Sequence, residues 1–420
     1  MPKLSEKTKT LFADMLQTIS PKEETRKKVL SLVQRFLAEL NAKLKKHKFR
    51  AKAVLGGSYA KDTWLEGDYD VDIFVLFGLS HKKDNISDLL HKALEDWNPK
   101  RIRGSRDYFH LKKQVLYEII PALAITSPKQ AENTTDFSSK HVDWVKKRSR
   151  KLTNDIRMFK KFCKANKVYG AESYIKGISG HVADLIVIYY KGFWNAVCAI
   201  SKWKPKVIID IEKTYKTNPL LVLNANKTSG PLVIIDPVQP ERNAAAALSQ
   251  ETFNALVKVS GAFTKKPTKK YFEEKITDLK KLAKTGCLEV IKCTPLADPQ
   301  DIAGTKILKV FEYIKKSFAD FGVKKSGWQW NGKDDAELWF VLKKKNLPEK
   351  AIIQGPPLVL TRHVAKFKKA HPDVFAKATK RFVYANIKRE ITTPEQLLKK
   401  LSHDQYITTR VNSCKLQPKP

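Results

Sequence analysis

Acidic residues are in short supply: 43 Asp+Glu stand against 80 Lys+Arg in 420 residues, a formal net charge of +37. Such a field repels basic partners and favours a polyanion, either nucleic acid or an anionic membrane surface. Long apolar runs are missing too. Stretches such as Val182–Tyr190 are broken by charge and fall well short of the ~18 residues a spanning helix needs, which argues against a membrane protein. Met1–Glu6 has no apolar signal core, and Glu6, Asp14 and Glu23 do not suit an acid-poor transit peptide, so the expected location is cytoplasmic. Cysteine is scarce, and Cys163, Cys198, Cys287, Cys293 and Cys414 form no C-x-x-C pair. Their spacing encodes neither a disulfide framework nor a zinc site, and reduced thiols, mostly in cores, are expected. No repeat of solenoid period and no low-complexity tract is present. With 42% hydrophobic residues the chain can still bury substantial cores, and its length suits two to four domains.

Residues 5–48 carry apolar positions at helical spacing (Leu11, Met15, Ile19; Val29, Val33, Phe36, Leu40), with Ser20-Pro21 opening the second run. From Ala51 to about Phe137 the pattern shifts to short β-rich runs at 53–55, 71–77 and 115–120, with a helix over 86–97. Between Lys140 and Lys164 ten Lys/Arg meet only two Asp, while Ile156, Phe159, Phe162 and Cys163 repeat at helical spacing, so a basic-faced amphipathic helix is expected. Helices over 181–191 and 193–203, an extended run 232–235 and a helix-forming stretch 243–263 follow. The Pro-broken, charged segment 264–270 reads as a linker. Further on, a helix is expected over 302–321, and Asn331-Gly332 between two aromatic-rich runs is the strongest short hairpin signal in the chain.

The most informative stretch runs from Gly56 to Phe74. Asp70 and Asp72 lie two apart in a β-prone run, so strand geometry points both carboxylates to one face while Val71 and Ile73 occupy the other. Carboxylates so close repel unless a hard divalent cation sits between them. Upstream, Gly57-Ser58 can turn sharply into a helix and offer backbone N–H groups and a hydroxyl to phosphate. Glu118 stands alone among apolar neighbours in another strand candidate, a costly burial unless neutralised. A lone D-x-D is more often a solvated strand edge; the glycine-serine turn and the stranded glutamate together weaken that bland reading.

These residues resemble the archaeal-type, class I CCA-adding tRNA nucleotidyltransferases of the polymerase-β-like superfamily. The likeness rests on G-S-Y-A-K-D-T-W-L (57–65), D-Y-D-V-D-I-F (68–74), E-I-I-P (118–121), V-Y-G-A-E (168–172), D-P-V-Q-P-E-R-N-A-A-A (236–246) and Q-G-P-P-L (354–358), in order over most of the chain. It implies an α+β architecture with a mixed-sheet palm plus N-terminal helices over 1–137, a helix-rich nucleotide-binding domain over 138–263, and an α/β body and tail over 264–420 that binds tRNA. It further implies template-independent addition of C, C and A from CTP and ATP with Mg²⁺, Asp70, Asp72 and Glu118 being the catalytic, metal-holding triad. The family more often has Glu at the position of Asp70 and Asp at that of Glu118, so carboxylate reach is redistributed by a methylene at each. By the same likeness Gly57, Ser58, Lys61, His141, Lys160 and Tyr169 hold triphosphate and sugar, Lys61 standing where an Arg is common. Arg242 resembles the base-reading arginine: a donor-only guanidinium satisfies acceptors on cytosine and adenine and meets a donor N–H on uracil and guanine. Taken singly, Lys160 also suits a solvated helix face, His141 a helix start, Tyr169 a half-buried core and Arg242 a surface charge.

From Arg362 to Arg389 nine Lys/Arg meet one Asp and alternate with Phe367, Phe375, Phe382 and Tyr384. That mixture suits a surface tracking an RNA backbone, or a helix with aromatics inward and lysines in water. Two motifs are decoys. Gly327–Lys333 mimics the start of a phosphate-binding loop but has Asp334 where Ser/Thr is needed, and Cys287-x5-Cys293 matches no common zinc ligand set. A poly(A)-type or other RNA-tailing transferase and an RNA-binding protein with an inactive palm are the competing functions. The reading allows a homodimer and expects no membrane partner.

Overall fold

The computed structural model describes residues 4–274, 277–376 and 381–418. The chain divides into two compact units, Met1–Lys275 and Ile276–Pro420.

The first unit opens with α1 (Glu6–Ile19) and α2 (Glu23–Lys46). Ser5 caps α1 by accepting from the Thr8 backbone N–H. Glu23 and Glu24 begin α2 and Lys43, Lys45 and Lys46 end it, opposing the helix dipole at both termini. The buried stripe Val29, Val33, Phe36, Leu40 and Leu44 lays α2 on the core of a sheet. That sheet consists of β1 (Ala51–Leu55), β2 (Asp70–Phe77), β3 (Lys100–Ile102), β4 (Tyr108–Lys112) and β5 (Leu116–Leu123) in the order β1-β2-β5-β4-β3. The one-turn helix α3 (Gly57–Ala60) separates β1 from β2, and α4 (Ile86–Leu94) follows β2. Strands β2 and β5 are parallel, and the other pairings are antiparallel. Val71, Ile73, Val75 and Phe77 of β2, with Tyr117 and Ile119 of β5, face the α2 side and are buried. The alternate positions, Asp72 and Glu118 among them, are thereby turned to the opposite face.

The lysine-rich segment forms two helices, α5 (Ser138–Ser149) and α6 (Thr153–Ala165), where one was expected. Ile156, Phe159, Phe162 and Cys163 of α6 are buried as the periodicity implies, yet Arg157 and Lys160 are buried with them. Arg157 explains its own inward turn: it donates to the Trp64 carbonyl at 3.1 Å, the Asp62 carbonyl at 2.7 Å and the Asp62 carboxylate at 2.6 Å. This fastens the chain after α3 to α6. Helices α7 (Gly180–Tyr190) and α8 (Phe193–Ile200) complete a large apolar core. Then come β6 (Val207–Ile209), the one-turn helices α9 (Pro219–Val222) and α10 (Ala225–Thr228), and β7 (Leu232–Ile234), parallel to β6.

The alanine-rich run after Asn243 is not helical, contrary to its propensity. The Asn243 amide accepts from the Ile234 and Ala245 N–H groups and donates to the Lys227 and Leu232 carbonyls, holding the chain in a turn. The helix α11 (Gln250–Lys265) starts only at the Ser249 cap. Beyond it Phe272 packs against Phe162, Phe193 and Phe263.

The second unit contains α12 (Leu279–Ala283), β8 (Cys287–Pro295), α13 (Gln300–Ser317), β9 (Val323–Gln329), β10 (Ala336–Leu342), β11 (Lys350–Pro357), α14 (Thr361–Ala370), β12 (Val374–Ala376), β13 (Phe382–Lys388), α15 (Pro394–Leu401), α16 (Gln405–Thr408) and β14 (Val411–Leu416). Its sheets run β14-β8-β10-β9 and β11-β13-β12. The segment around Asn331-Gly332 is a hairpin between β9 and β10, with Asn331 accepting from the Lys333 and Asp334 N–H groups, so the phosphate-loop likeness is indeed a decoy. The basic, aromatic run of 362–389 forms α14, β12 and β13, and its Lys377 and Lys380 lie outside the described residues.

One expectation fails here. Cys293 and Cys414 form a disulfide, while Cys163, Cys198 and Cys287 are free thiols. The pair is 121 residues apart in sequence and becomes adjacent only because β8 and β14 place the two residues directly opposite each other. Among the described residues no single helix is long and apolar enough to cross a membrane.

Candidate active site

The parallel register of β2 on β5 sets Asp72 directly beside Glu118, with Asp70 two residues back on the same strand. Across β4, His110 stands opposite Glu118, its Nε2 at 3.5 Å from the carboxylate. Burial, then the charge of Glu118 and, more weakly, that of Asp70 push the Asp72 carboxyl up to about 7, against the pull of Lys61 and Lys160. Asp70, Asp72 and Glu118, close together on one face, are a donor set suited to divalent cations. Gly57 supplies the fit: a Cβ there would lie 1.6 Å from Asp72 Oδ2, and its φ of +51° is a conformation glycine adopts freely. The α3 turn carrying Ser58 therefore lies against the Asp72 carboxylate.

Lys61 caps α3, and its Nζ reaches Asp184 Oδ2 at 2.5 Å. Lys160, from α6, approaches the other oxygen of Asp184 at 3.3 Å and donates to Thr63 Oγ1 at 2.8 Å. It is 4% exposed, so the solvated-helix-face reading does not hold. Burial brings its ammonium down to about 8, opposed by Asp184. Asp184 itself is held below the usual carboxylate range: burial opposes the charge, but Lys160 and Lys61 outweigh it. Tyr169 is half-buried, its ring 5.4 Å from Lys164 Nζ and its hydroxyl against Gly180. Burial, followed by the charges of Asp184 and Asp68, keeps the phenol protonated.

His141 and Arg242 meet at a second buried acid, Asp236. His141 Nε2 lies 2.8 and 2.9 Å from its two oxygens, and Arg242 Nη1 donates to Oδ2 at 2.9 Å. His181 of α7 stands 3.8 Å from the same carboxylate, its ring 4.4 Å from that of His141. Burial disfavours the Asp236 charge, yet the two histidines hold its carboxyl well below the ordinary range. Burial lowers the pKa of His181. The ligand atoms of His141, His181 and Asp236 lie within 4.8 Å of one another, a spacing a cation could use; Arg242 already places a positive charge on that carboxylate.

Ser58, Lys61, Lys160 and Tyr169 thus gather near Asp72 and Asp184, and His141 and Arg242 gather on Asp236. Asp184 and His181 escape sequence reasoning as site residues. The signal was there: an acid inside the apolar run of α7 must have a partner, and His181 lies one turn before it.

A mixed sheet bearing three carboxylates beside a glycine-serine turn, backed by a helical layer of inward-facing cations, is the palm of a polymerase-β-like nucleotidyltransferase. Residues 154–273 match the family described as tRNA nucleotidyltransferase, second domain, and residues 305–413 the CCA-adding enzyme, C-terminal domain. A CCA-adding enzyme of Nanoarchaeum equitans is 37% identical over 329 residues, 76% of this chain and 80% of the relative. The chain belongs to the CCA-adding enzyme family of tRNA nucleotidyltransferases. Another member, from Methanosarcina mazei, is 28% identical over 91% of this chain and 87% of its own length. A solved RNA terminal uridylyl transferase shares the fold at a TM-score of 0.52 and 12% identity, covering 65% of this chain and 99% of that one.

Proposed function

We propose that this enzyme adds C, C and A to tRNA 3′ ends from CTP and ATP without a template, releasing pyrophosphate. What carries the reading is the register of Asp72 beside Glu118 against the Gly57 turn, in a chain whose relatives bear the name CCA-adding enzyme. Asp70, Asp72 and Glu118 are assigned to hold Mg²⁺, which when bound activates the RNA 3′-hydroxyl and neutralises the charge of the departing pyrophosphate. Gly57 brings the α3 backbone close to the phosphates, with the Ser58 hydroxyl as a further donor. Lys61 and Lys160 supply positive charge to the triphosphate, and Tyr169 and His141 bound the sugar. Arg242, steadied by Asp236, offers only donors to the base, which rejects the ring N–H of uracil and guanine. The stretch 1–137 supplies the carboxylates, 138–263 most of the nucleotide contacts, and the remainder grips tRNA through its Lys/Arg-rich surface. The enzyme works in the cytoplasm, as a monomer or homodimer.

The test is incubation with tRNA ending at its discriminator base and each nucleoside triphosphate alone or combined. C-C-A tails from CTP plus ATP, and none from UTP or GTP, support the assignment. Long A-only tails would indicate a poly(A)-type enzyme, and tRNA binding without extension an inactive palm. Asp72→Asn is expected to lower extension by ~10³-fold or more while tRNA affinity, read by filter binding, stays within a few-fold.

A further inference from the structure

We propose that Asp184 is a positioning residue for nucleotide binding, whose carboxylate draws Lys61 and Lys160 together before a triphosphate arrives and then shares them with it. The inference rests on the reading that these two lysines contact the triphosphate.

Asp184 is 0% exposed and sits among Val182, Ala183, Leu185, Ile186, Val187 and Ile188, all buried. An acid in such surroundings persists only where cations compensate its lost hydration. Two do so, from separate elements: Lys61 at 2.5 Å from the end of α3, and Lys160 at 3.3 Å from α6. Removing the carboxylate would leave two ammonium groups repelling each other inside the protein, one of them 4% exposed. Within ion-pair distance one acid faces two lysines, a local surplus of positive charge, and Asp72 acts on both only from farther away. That surplus distinguishes the cluster from a balanced structural ion pair: it keeps a demand for an anion, and the oxygens of a triphosphate meet it. The nearby charged and titratable groups are Asp72 from β2, Lys164 from α6, His181 from α7, Tyr169 and Asp68. Among the described residues the ion pairs of Asp184 are those with Lys61 and Lys160.

The test compares variants of the full chain by steady-state extension of tRNA with CTP or ATP. Asp184→Asn is expected to raise the KM for both nucleotides about tenfold or more while kcat changes less than about threefold. It should also shift the alkaline limb of kcat/KM to lower pH, because Lys160 loses the anion that favours its proton. Asp184→Glu should restore both. Lys160→Met reports on the underlying reading. If it raises the KM while Asp184→Asn leaves KM and limb unchanged, the role of Asp184 is overturned and the nucleotide assignment stands; if it leaves the KM unchanged, both fall. Should Asp184→Asn fail to fold, Lys61→Met decides. With one cation gone, the carboxylate serves Lys160 alone and the limb should move to higher pH; an unmoved limb overturns the proposal.

Discussion

Two buried aspartates organise the basic residues of the site, and they do it differently. Asp236 accepts from one arginine, the group proposed to read the base, and is flanked by two histidines; Asp184 faces two lysines. Arg242 owes its orientation to Asp236. Replacing it with alanine is expected to cut discrimination against UTP by ~10- to 100-fold with little loss of tRNA affinity, as measured by misincorporation with each nucleotide alone. Lys160 gives a pH signature. Its ammonium is brought down to about 8, so it is charged below that pH and neutral above it, and a neutral amine no longer attracts phosphate. The kcat/KM for CTP or ATP should therefore bend downward above about pH 8, and Lys160→Met should remove that bend.

Among the secondary-structure elements, the decisive contact is the α3 turn against β2. Because Gly57 has φ +51° and no room for a Cβ beside Asp72, the turn and the carboxylate form one unit. Gly57→Ala is expected to cost about 1–3 kcal/mol in urea unfolding, through both strain and overlap. Extension should fall further than that loss implies, by ~10²-fold or more, because the displaced group is Asp72. Parallel pairing of β2 and β5 carries a similar constraint. A slip of one residue would send Asp72 into the apolar core and Val71 to the face that now bears the carboxylates.

Over the whole molecule, the first unit contains all the carboxylates, lysines and the arginine assigned to chemistry, while the second contains the disulfide and the run with nine Lys/Arg. A cross-link between residues 121 apart removes much loop freedom from the unfolded chain. Thiol titration of the denatured protein should give three free thiols before reduction, those of Cys163, Cys198 and Cys287, and five after it. Cys414→Ser should lower the stability of the second unit by about 2–5 kcal/mol, read from its unfolding transition in urea.

Much was legible in the linear order of residues. Period-two alternation put Asp70 and Asp72 on the face opposite Val71 and Ile73, helical spacing marked α1, α2 and α6, and Asn331-Gly332 marked its hairpin, because these patterns depend on neighbours along the chain. The net charge and the order of motifs already pointed to a nucleotidyltransferase acting on RNA. What required the folded molecule was every relation between distant segments: Asp72 beside Glu118, Cys293 opposite Cys414, Lys61 and Lys160 on one carboxylate. The alanine run after Asn243 shows the same limit in reverse, since a side-chain amide bonded to remote carbonyls overrode local helix propensity. Burial of Lys160 and Asp184 belongs to this second class. Charged residues look solvent-facing one at a time, and only packing brings together the opposite charges that let them leave water.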